Sequence, residues 1–400
     1  MATQGNVTLG LRYTLRPSFI VSPQGSKLMS IRLPTVEALR AFGAISVLWM
    51  HCIWLGPWDF PRGLGAWFHH GWLGVDLFLI ISGFATTRAL FQGQSSTQTR
   101  PLRNYWRNRL ARIYPLFLLS SVVFLLLIDA SAVTGPNSVL QILSHLTLTH
   151  GWFVQASGAI NGVTWTLTLE MQLYVVGFLL LLTPFGASLR LRVWGGVALL
   201  VFLIAIAYRF GVYYFNDQDM VLCLHWISQL PGLCEGFFLG VLIAKHAHYR
   251  SNSNFIATAI DRRYTAAIFA AGLIGSIVLV ALLEDVNKQY WEHWLFPTFF
   301  RSGIAISFAL LVWAAVRFDT ETVVVSSPFG AALQSIAARL GAWSYGIYLW
   351  HLPVLLVLKK SNVNGALLFL LTLSLTIALA AASYRWFEQP WMQWARRRAR

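Results

Sequence analysis

The chain has 400 residues, of which 56% are hydrophobic and only 11% are charged. Soluble domains carry about twice that charged fraction, so the composition argues against a soluble fold and for a protein embedded in lipid. The net charge of +15 does not indicate nucleic-acid binding here, because Lys and Arg accumulate in the cytoplasmic loops of membrane proteins.

The cysteine content also restricts the possible functions. Cys52, Cys223 and Cys234 are the three cysteines, and no two of them have a metal-binding or redox spacing. We therefore expect no disulfide framework, no zinc site and no metal cofactor.

The first 34 residues are basic and contain no apolar run, which is unlike a cleaved signal peptide. We predict that residues 1–34 form a cytoplasmic N-terminal tail and that the first apolar segment directs membrane insertion.

Ten apolar segments follow, each long enough to cross about 30 Å of hydrocarbon. They lie near residues 35–55, 71–91, 112–130, 163–183, 193–210, 223–244, 265–283, 296–316, 341–358 and 365–384. The sequence thus predicts an all-α polytopic membrane protein of about ten transmembrane helices, with a membrane domain over 35–385. Residues 131–162 are predicted to form an external loop.

The distribution of Lys and Arg predicts the orientation. With the N terminus inside, most basic residues fall in inside segments, including the basic tail at 386–400. We expect both termini in the cytoplasm and the protein in the cytoplasmic (inner) membrane as a multi-pass protein.

The first apolar segment carries Arg40 and His51, eleven residues apart. At 100° per residue they share one helix face, with an axial offset of about 16 Å. This pattern is consistent with a functional pair, and equally with an interfacial arginine and a histidine at the membrane boundary. The second segment carries Asp76, which could orient a catalytic partner or hold two helices together.

The stretch before the third segment places aromatic residues among Arg107, Arg109 and Arg112, and Tyr114 follows. Guanidinium groups suit phosphates and aromatic rings suit an adenine base, so this stretch could bind a phosphorylated cofactor. For any single arginine, a membrane anchor or a lipid-headgroup contact is the simpler interpretation.

The fourth and ninth segments each carry a polar stripe. Thr166, Glu170 and Tyr174 share one helix face, and so do Ser344, Tyr348 and His351. A polar stripe in an apolar helix should face a cavity, so we expect the ninth-segment stripe to bind substrate. Glu235, in the sixth segment, is interpreted as a structural acid.

Several short motifs are weak one by one, but their order along the chain is together specific for one protein family. They are Arg40-x10-His51, Gly74-Val-Asp-Leu-Phe with Ser82-Gly-Phe, Arg109 with Arg112-Ile-Tyr-Pro115, Trp165-Thr-Leu-Thr-Leu-Glu170, Ser344-Tyr with Tyr348-Leu-Trp-His351, and Glu388-Gln-Pro390. From about Leu33 to Pro390 the chain resembles the integral-membrane acyltransferase-3 family, which includes O-antigen and Nod-factor acetyltransferases.

The resemblance implies an acyl-CoA donor, usually acetyl-CoA, and essential roles for Arg40 and His51, with the Arg112 region on the donor side. The expected partners are the lipid bilayer, acyl-CoA and a carbohydrate or glycolipid acceptor, and no nucleic acid. Thr168 departs from the family pattern, which usually has Ser there. With no esterase-like domain after the last segment, we expect transfer to the acceptor within the membrane domain.

The hypothesis is O-acyl transfer to a saccharide hydroxyl. His51 would deprotonate the hydroxyl or carry the acyl group, Glu170 or Asp76 would orient the imidazole, and Arg40 with the arginine cluster would hold the donor. The alternative is a proton-coupled transporter or flippase of a glycolipid or small metabolite, because buried Glu and His also suit proton relays. A structural membrane subunit would not call for so many intramembrane ionisable groups.

Overall fold

The computed structural model describes residues 33–56, 61, 63–95, 101–182, 191–216, 219–252, 259–286, 289–321 and 328–398. The predicted N-terminal tail up to residue 32 lies outside the described residues, as do the basic positions Arg100, Arg190 and Arg400 counted for the orientation.

Ten long helices make up most of the described chain, which contains no strand. They are α1 (Pro34–Leu55), α2 (Gly74–Ser95), α3 (Pro101–Leu127), α4 (Trp165–Leu182), α5 (Leu191–Phe215), α6 (Leu230–Asn252), α7 (Ala259–Val286), α8 (Leu295–Glu321), α9 (Pro328–Lys360) and α10 (Gly365–Ser383). One π-helical turn, Tyr384–Glu388, connects α10 to the short amphipathic helix α11 (Gln389–Arg397).

Among the residues that the structure describes, nine helical segments are long and apolar enough to cross a membrane. They involve every long helix except α4, whose side chains are described only to residue 179. The predicted all-α polytopic membrane fold is thereby confirmed.

Two of the predicted apolar segments cover only part of their helices. Helices α3 and α9 begin at Pro101 and Pro328, well before the apolar stretches predicted from residues 112 and 341. The reason is that good helix formers continue beyond the apolar part, three arginines in α3 and an alanine-rich stretch in α9, so the helical hydrogen bonds continue there too. The arginine cluster therefore lies on helix α3 and not in a connection between helices.

The beginning of α1 is held by a carboxylate from α8. Asp319 accepts hydrogen bonds from the backbone N–H groups of Thr35 and Val36, at 3.0 and 3.2 Å, and from the Thr35 hydroxyl at 2.6 Å. The first N–H groups of a helix have no partner within the helix, and an anion there also complements the helix dipole. This contact fixes the end of α1 from which Arg40 projects.

Helices α2 and α6 pack backbone against backbone. A Cβ atom added to Gly83 would lie 2.0 Å from the carbonyl oxygen of Phe237, and one added to Gly240 would lie 2.0 Å from that of Ile80. Only glycine permits this approach, which is typical of helix contacts in membranes. The contact sets the position of α2, which contributes one wall of the site.

Helix α9 lies along α1 and is tied to two other elements. The Tyr345 hydroxyl donates to the carbonyl oxygen of Ile113 in α3 at 2.8 Å, and the Asn161 side-chain amide donates to that of Leu349 at 3.0 Å. Gly341 lies so close to Glu37 of α1 that an added Cβ would meet it at 2.5 Å. The two predicted functional helices are thus direct neighbours.

Candidate active site

Side chains from α1, α2, α3, α4 and α9 enclose a cavity of about 190 Å³ within the bundle. Its polar lining consists of Arg40, Ser82, Arg109, Arg112, Thr166, Glu170, Tyr174, Ser344, Tyr345 and Tyr348. Apolar residues, among them Phe78 and Ile113, complete the wall. The polar stripes of the fourth and ninth segments therefore face the same cavity, as expected for polar side chains within an apolar bundle.

Glu170 is the carboxylate of this cavity, and it has hydrogen-bond donors around it. The Tyr174 hydroxyl donates to Oε1 of Glu170 in a short hydrogen bond, and the Ser82 hydroxyl lies 3.3 Å from the same atom. Arg109 in turn contacts the Tyr174 hydroxyl at 3.4 Å, with its guanidinium 4.5 Å from the centroid of the Tyr174 ring. Arg109, Tyr174 and Glu170 form one chain of contacts from α3 to α4.

Two lining atoms are buried without a hydrogen-bond partner among the described residues. They are the hydroxyl oxygen of Ser344 and Nη2 of Arg112. Nη1 of Arg112 makes one long contact, 3.7 Å to the sulfur of Met392 in α11. Buried polar groups are nearly always paired in a complete structure, so unpaired donors in a cavity wall indicate where a ligand would bind.

The other predicted donor-binding residues point elsewhere. Arg107 donates to the carbonyl oxygen of Arg398 at 2.8 Å, and this contact connects α3 to the end of α11. It also donates to the side chain of Asn104, in its own helix, at 2.6 Å. The Tyr114 hydroxyl donates to the carbonyl oxygen of Leu146 at 2.8 Å. Neither side chain lines the cavity, whereas Arg109 and Arg112 both do.

The two histidines predicted for separate roles contact each other. Nε2 of His351 lies 3.2 Å from Nδ1 of His51, and the ring centroids are 5.0 Å apart. Each Nδ1 also lies near the backbone carbonyl oxygen four residues earlier in its helix, 2.9 Å from Val47 for His51 and 3.2 Å from Ile347 for His351. The pair adjoins the cavity through Tyr348, whose ring is 5.8 Å from that of His351.

Asp76, the other carboxylate considered for orienting His51, is engaged by Arg301 of α8. Nη1 of Arg301 lies 3.1 and 3.2 Å from the two carboxylate oxygens, and the guanidinium also lies 4.7 Å from the Trp72 ring centroid. Both charged residues are buried. Asp76 thus joins α2 to α8, which is the structural alternative that the sequence left open.

Sequence reasoning missed a second buried ion pair. Arg209, which the charge rule places at an outer edge, is fully buried and donates to Glu235 at 2.8 Å and to Ser302 at 2.6 Å. Its charge among apolar residues of α5, far from Arg192 at the start of that helix, is the signal that could have revealed it. Sequence reasoning also missed the stacked rings of His145 and His150, 4.1 Å apart between α3 and α4 in the chain. Burial and the neighbouring His145 lower the pKa of His150 to about 4, so this ring is neutral.

The comparison with known proteins decides the family. A family model described as an acyltransferase domain matches residues 33–385. The chain belongs to this acyltransferase-3 family. The match includes all of α1 to α10 and ends within the π-helical turn that follows, so the cavity and the histidine pair lie within the family domain.

Curated relatives of this acyltransferase-3 protein are longer than this chain. O-acetyltransferase OatA from Staphylococcus aureus strain NCTC 8325 / PS 47 is 26% identical over 377 residues, which is 90% of this chain and 57% of the relative. OatA of strain COL matches with the same values. The chain thus spans 57% of the length of these relatives. No solved structure matches it.

Family membership does not favour the transporter alternative. Within the described residues, no three His, Cys, Asp or Glu side chains are grouped closely enough to hold a metal ion.

Proposed function

We propose that this protein is a membrane-bound O-acyltransferase that moves an acyl group, acetyl being the first choice, from acyl-CoA to a hydroxyl of a cell-surface or secreted saccharide. The proposal is supported by family membership and by the relatives' printed activity, O-acetyl transfer. The observation that carries it is the cavity, which presents one unpaired guanidinium nitrogen and one unpaired hydroxyl beside an imidazole pair.

The cavity wall suits a thioester donor. Arg40, Arg109 and Arg112 supply positive charge, and the unpaired Nη2 of Arg112 can donate to a phosphate or a carbonyl oxygen. The unpaired hydroxyl of Ser344 can contact a donor or an acceptor oxygen in the same space. Apolar side chains surround these groups, and an apolar surrounding strengthens their electrostatic interaction with a bound donor.

The reaction needs one base. In our proposal His51 takes the proton from the acceptor hydroxyl as its oxygen attacks the thioester carbonyl carbon. The carbon–sulfur bond then breaks, and the proton passes from the imidazolium to the leaving thiolate, which leaves as coenzyme A. Glu170 is already engaged by Tyr174 and Ser82, so we assign it to the shape and charge of the cavity and not to orientation of His51.

The decisive experiment measures transfer of radiolabelled acetyl from acetyl-CoA to cell-envelope saccharides by purified protein in lipid nanodiscs. His51→Ala should lower kcat by about 10² to 10⁴, the usual loss when a general base is removed. His51→Gln, which keeps hydrogen bonding but cannot take up a proton, should fall as far.

The matched control is His293→Ala, because His293 is exposed in the connection before α8. It should retain wild-type turnover. Full activity in His51→Gln would refute the base assignment, and absence of transfer by the wild-type protein with every acyl-CoA and saccharide fraction tried would refute the proposed function.

A further inference from the structure

We infer that His351 is a positioning residue that fixes the tautomer of His51, so that the free nitrogen Nε2 of His51 carries the basic lone pair. This inference rests on the proposed function for its kinetic consequence, whereas the tautomer itself can be observed without catalysis.

The first step concerns His51. Its Nδ1 lies 2.9 Å from the carbonyl oxygen of Val47, and a carbonyl oxygen can only accept a hydrogen bond. A lone pair on Nδ1 would face the lone pairs of that oxygen, so this contact favours the tautomer with a hydrogen on Nδ1. In the neutral ring, the lone pair then resides on Nε2, which has no hydrogen-bond partner in the described part of the chain.

The second step concerns His351. Its Nδ1 lies 3.2 Å from the carbonyl oxygen of Ile347, so by the same reasoning Nδ1 carries the hydrogen. His351 is completely buried, and the described residues place no carboxylate in hydrogen-bond contact with either ring. A buried imidazole without an anion is neutral, so Nε2 of His351 is an acceptor.

The two steps fit together at the contact between the rings. Nε2 of His351 accepts from Nδ1–H of His51 at 3.2 Å, and that hydrogen is shared with Val47. When His51 takes up a proton on Nε2, the positive charge is stabilised by both acceptors. The second imidazole therefore does the work that a carboxylate does in a Ser-His-Asp triad: it selects the tautomer and stabilises the imidazolium.

The backbone explains why this arrangement is rigid. His51 and His351 each bond the carbonyl oxygen of their own preceding helical turn, so neither ring can flip without losing that contact. The hydroxyl of Tyr348, next to the pair on α9, donates to the carbonyl oxygen of Val163 at 2.9 Å and accepts from the hydroxyl of Thr166 at 3.1 Å. It is thus engaged by α4 and by Val163 just before that helix, and it does not compete for either imidazole.

Two variants separate the acceptor role from simple packing. His351→Gln places an amide oxygen near the position of Nε2 and keeps an acceptor for His51, whereas His351→Phe fills the same space without one. We expect His351→Phe to lower kcat by about 10²-fold with little change in KM for either substrate. Nδ1–H of His51 would keep only the Val47 carbonyl as an acceptor, which weakens both the tautomer preference and the stabilisation of the imidazolium. His351→Gln should recover kcat to within about tenfold of wild type.

Nitrogen-15 NMR of histidine-labelled protein supplies the readout that does not depend on activity. The His51 signals, assigned by their loss in His51→Gln, should show a protonated Nδ1 and an unprotonated Nε2 in the wild type and in His351→Gln. In His351→Phe they should show a larger share of the other tautomer. Thermal stability of both variants in nanodiscs verifies folding.

The inference is overturned if wild-type His51 carries its hydrogen on Nε2, if His351→Phe keeps wild-type kcat, or if a stably folded His351→Gln is as slow as His351→Phe. If His351→Phe fails to fold, the wild-type and His351→Gln spectra still decide the tautomer. Failure of the proposed function gives a different result, namely the predicted spectra with no acyl transfer by any variant.

Discussion

The buried arginines of this bundle differ in how fully their donors are paired. Arg209 on α5 has no exposed surface, and Glu235 on α6 and Ser302 on α8 surround its guanidinium. Arg209 also donates to the carbonyl oxygens of Thr298 and Gly232, at 2.9 and 2.8 Å. With every donor directed at a fixed acceptor, this residue is structural, in contrast to Arg112 in the cavity wall.

Loss of one partner from this pair should destabilise the protein severely. Arg209→Met leaves the Glu235 carboxylate buried without its cation, which typically costs about 3–5 kcal/mol. The double variant Arg209→Met/Glu235→Leu removes both charges and should recover much of the loss. The measurement is the midpoint of thermal unfolding in nanodiscs. A single variant as stable as the wild type, or a double variant no better than the single one, would contradict a structural ion pair.

Helix α3 shows how one element serves two purposes. Arg109 and Arg112 are three residues apart and share a face, whereas Arg107 and Arg109 are two apart and differ by about 200°. The structure agrees, because Arg109 and Arg112 line the cavity and Arg107 contacts the end of α11. We therefore restrict the proposed donor-binding role to Arg109 and Arg112.

Substitutions on the two faces of α3 should affect different properties. Arg109→Gln and Arg112→Gln should each raise KM for acetyl-CoA by about 10-fold or more, since a hydrogen bond to a charged group contributes about 1.5–3 kcal/mol. Arg109→Lys should rescue little, because an ammonium cannot reproduce the stacking on Tyr174 together with the fork of donors.

Arg107→Gln is the matched control on the same helix. It removes the same charge from the other face and should leave KM for the donor near the wild-type value, with a loss confined to stability through α11. Equal effects from all three substitutions would mean that the cluster acts only through its total charge, as a membrane anchor does.

At the scale of the whole molecule, the distribution of basic residues predicts how the bundle is oriented in the membrane. Basic residues occur in the same set of connections throughout the chain, and α11 adds Arg396, Arg397 and Arg398 at the end of the last membrane segment. The positive-inside rule then predicts that the end of the bundle at which α1 begins faces the cytoplasm. Arg40, Arg109 and Arg112 would lie on the side that a cytosolic donor enters.

Reporter fusions test this orientation directly. Fusions at Ser95 and after Arg400 should report the cytoplasm, and a fusion at Gly158, which is exposed in the segment between α3 and α4, should report the exterior. An exterior signal at Ser95 would reverse the orientation. The donor would then have to reach the arginines from the opposite side.

Much of the architecture could be predicted because it depends on local chemistry. The length of each apolar run determines whether a helix crosses the bilayer, and the helical period determines that Arg40 and His51, or Ser344 and Tyr348, share a face. The family resemblance also lay in the sequence, in the order of its motifs, and the family match over residues 33–385 confirms it. Helix ends were less predictable, because arginines extend α3 beyond its apolar part.

Which charged or polar group meets which could not be predicted, and only the tertiary structure decided it. His51 finds His351 across 300 residues of sequence, and Asp76 finds Arg301 across 225. Each helix period orients a side chain towards the bundle, but the partner depends on which helices are neighbours and how far each is shifted along its axis. The choice of neighbouring helices and their axial shifts are set by packing contacts, such as the glycine contacts of α2 with α6. Many such contacts over the whole bundle act together, so a local stretch of sequence does not reveal their result.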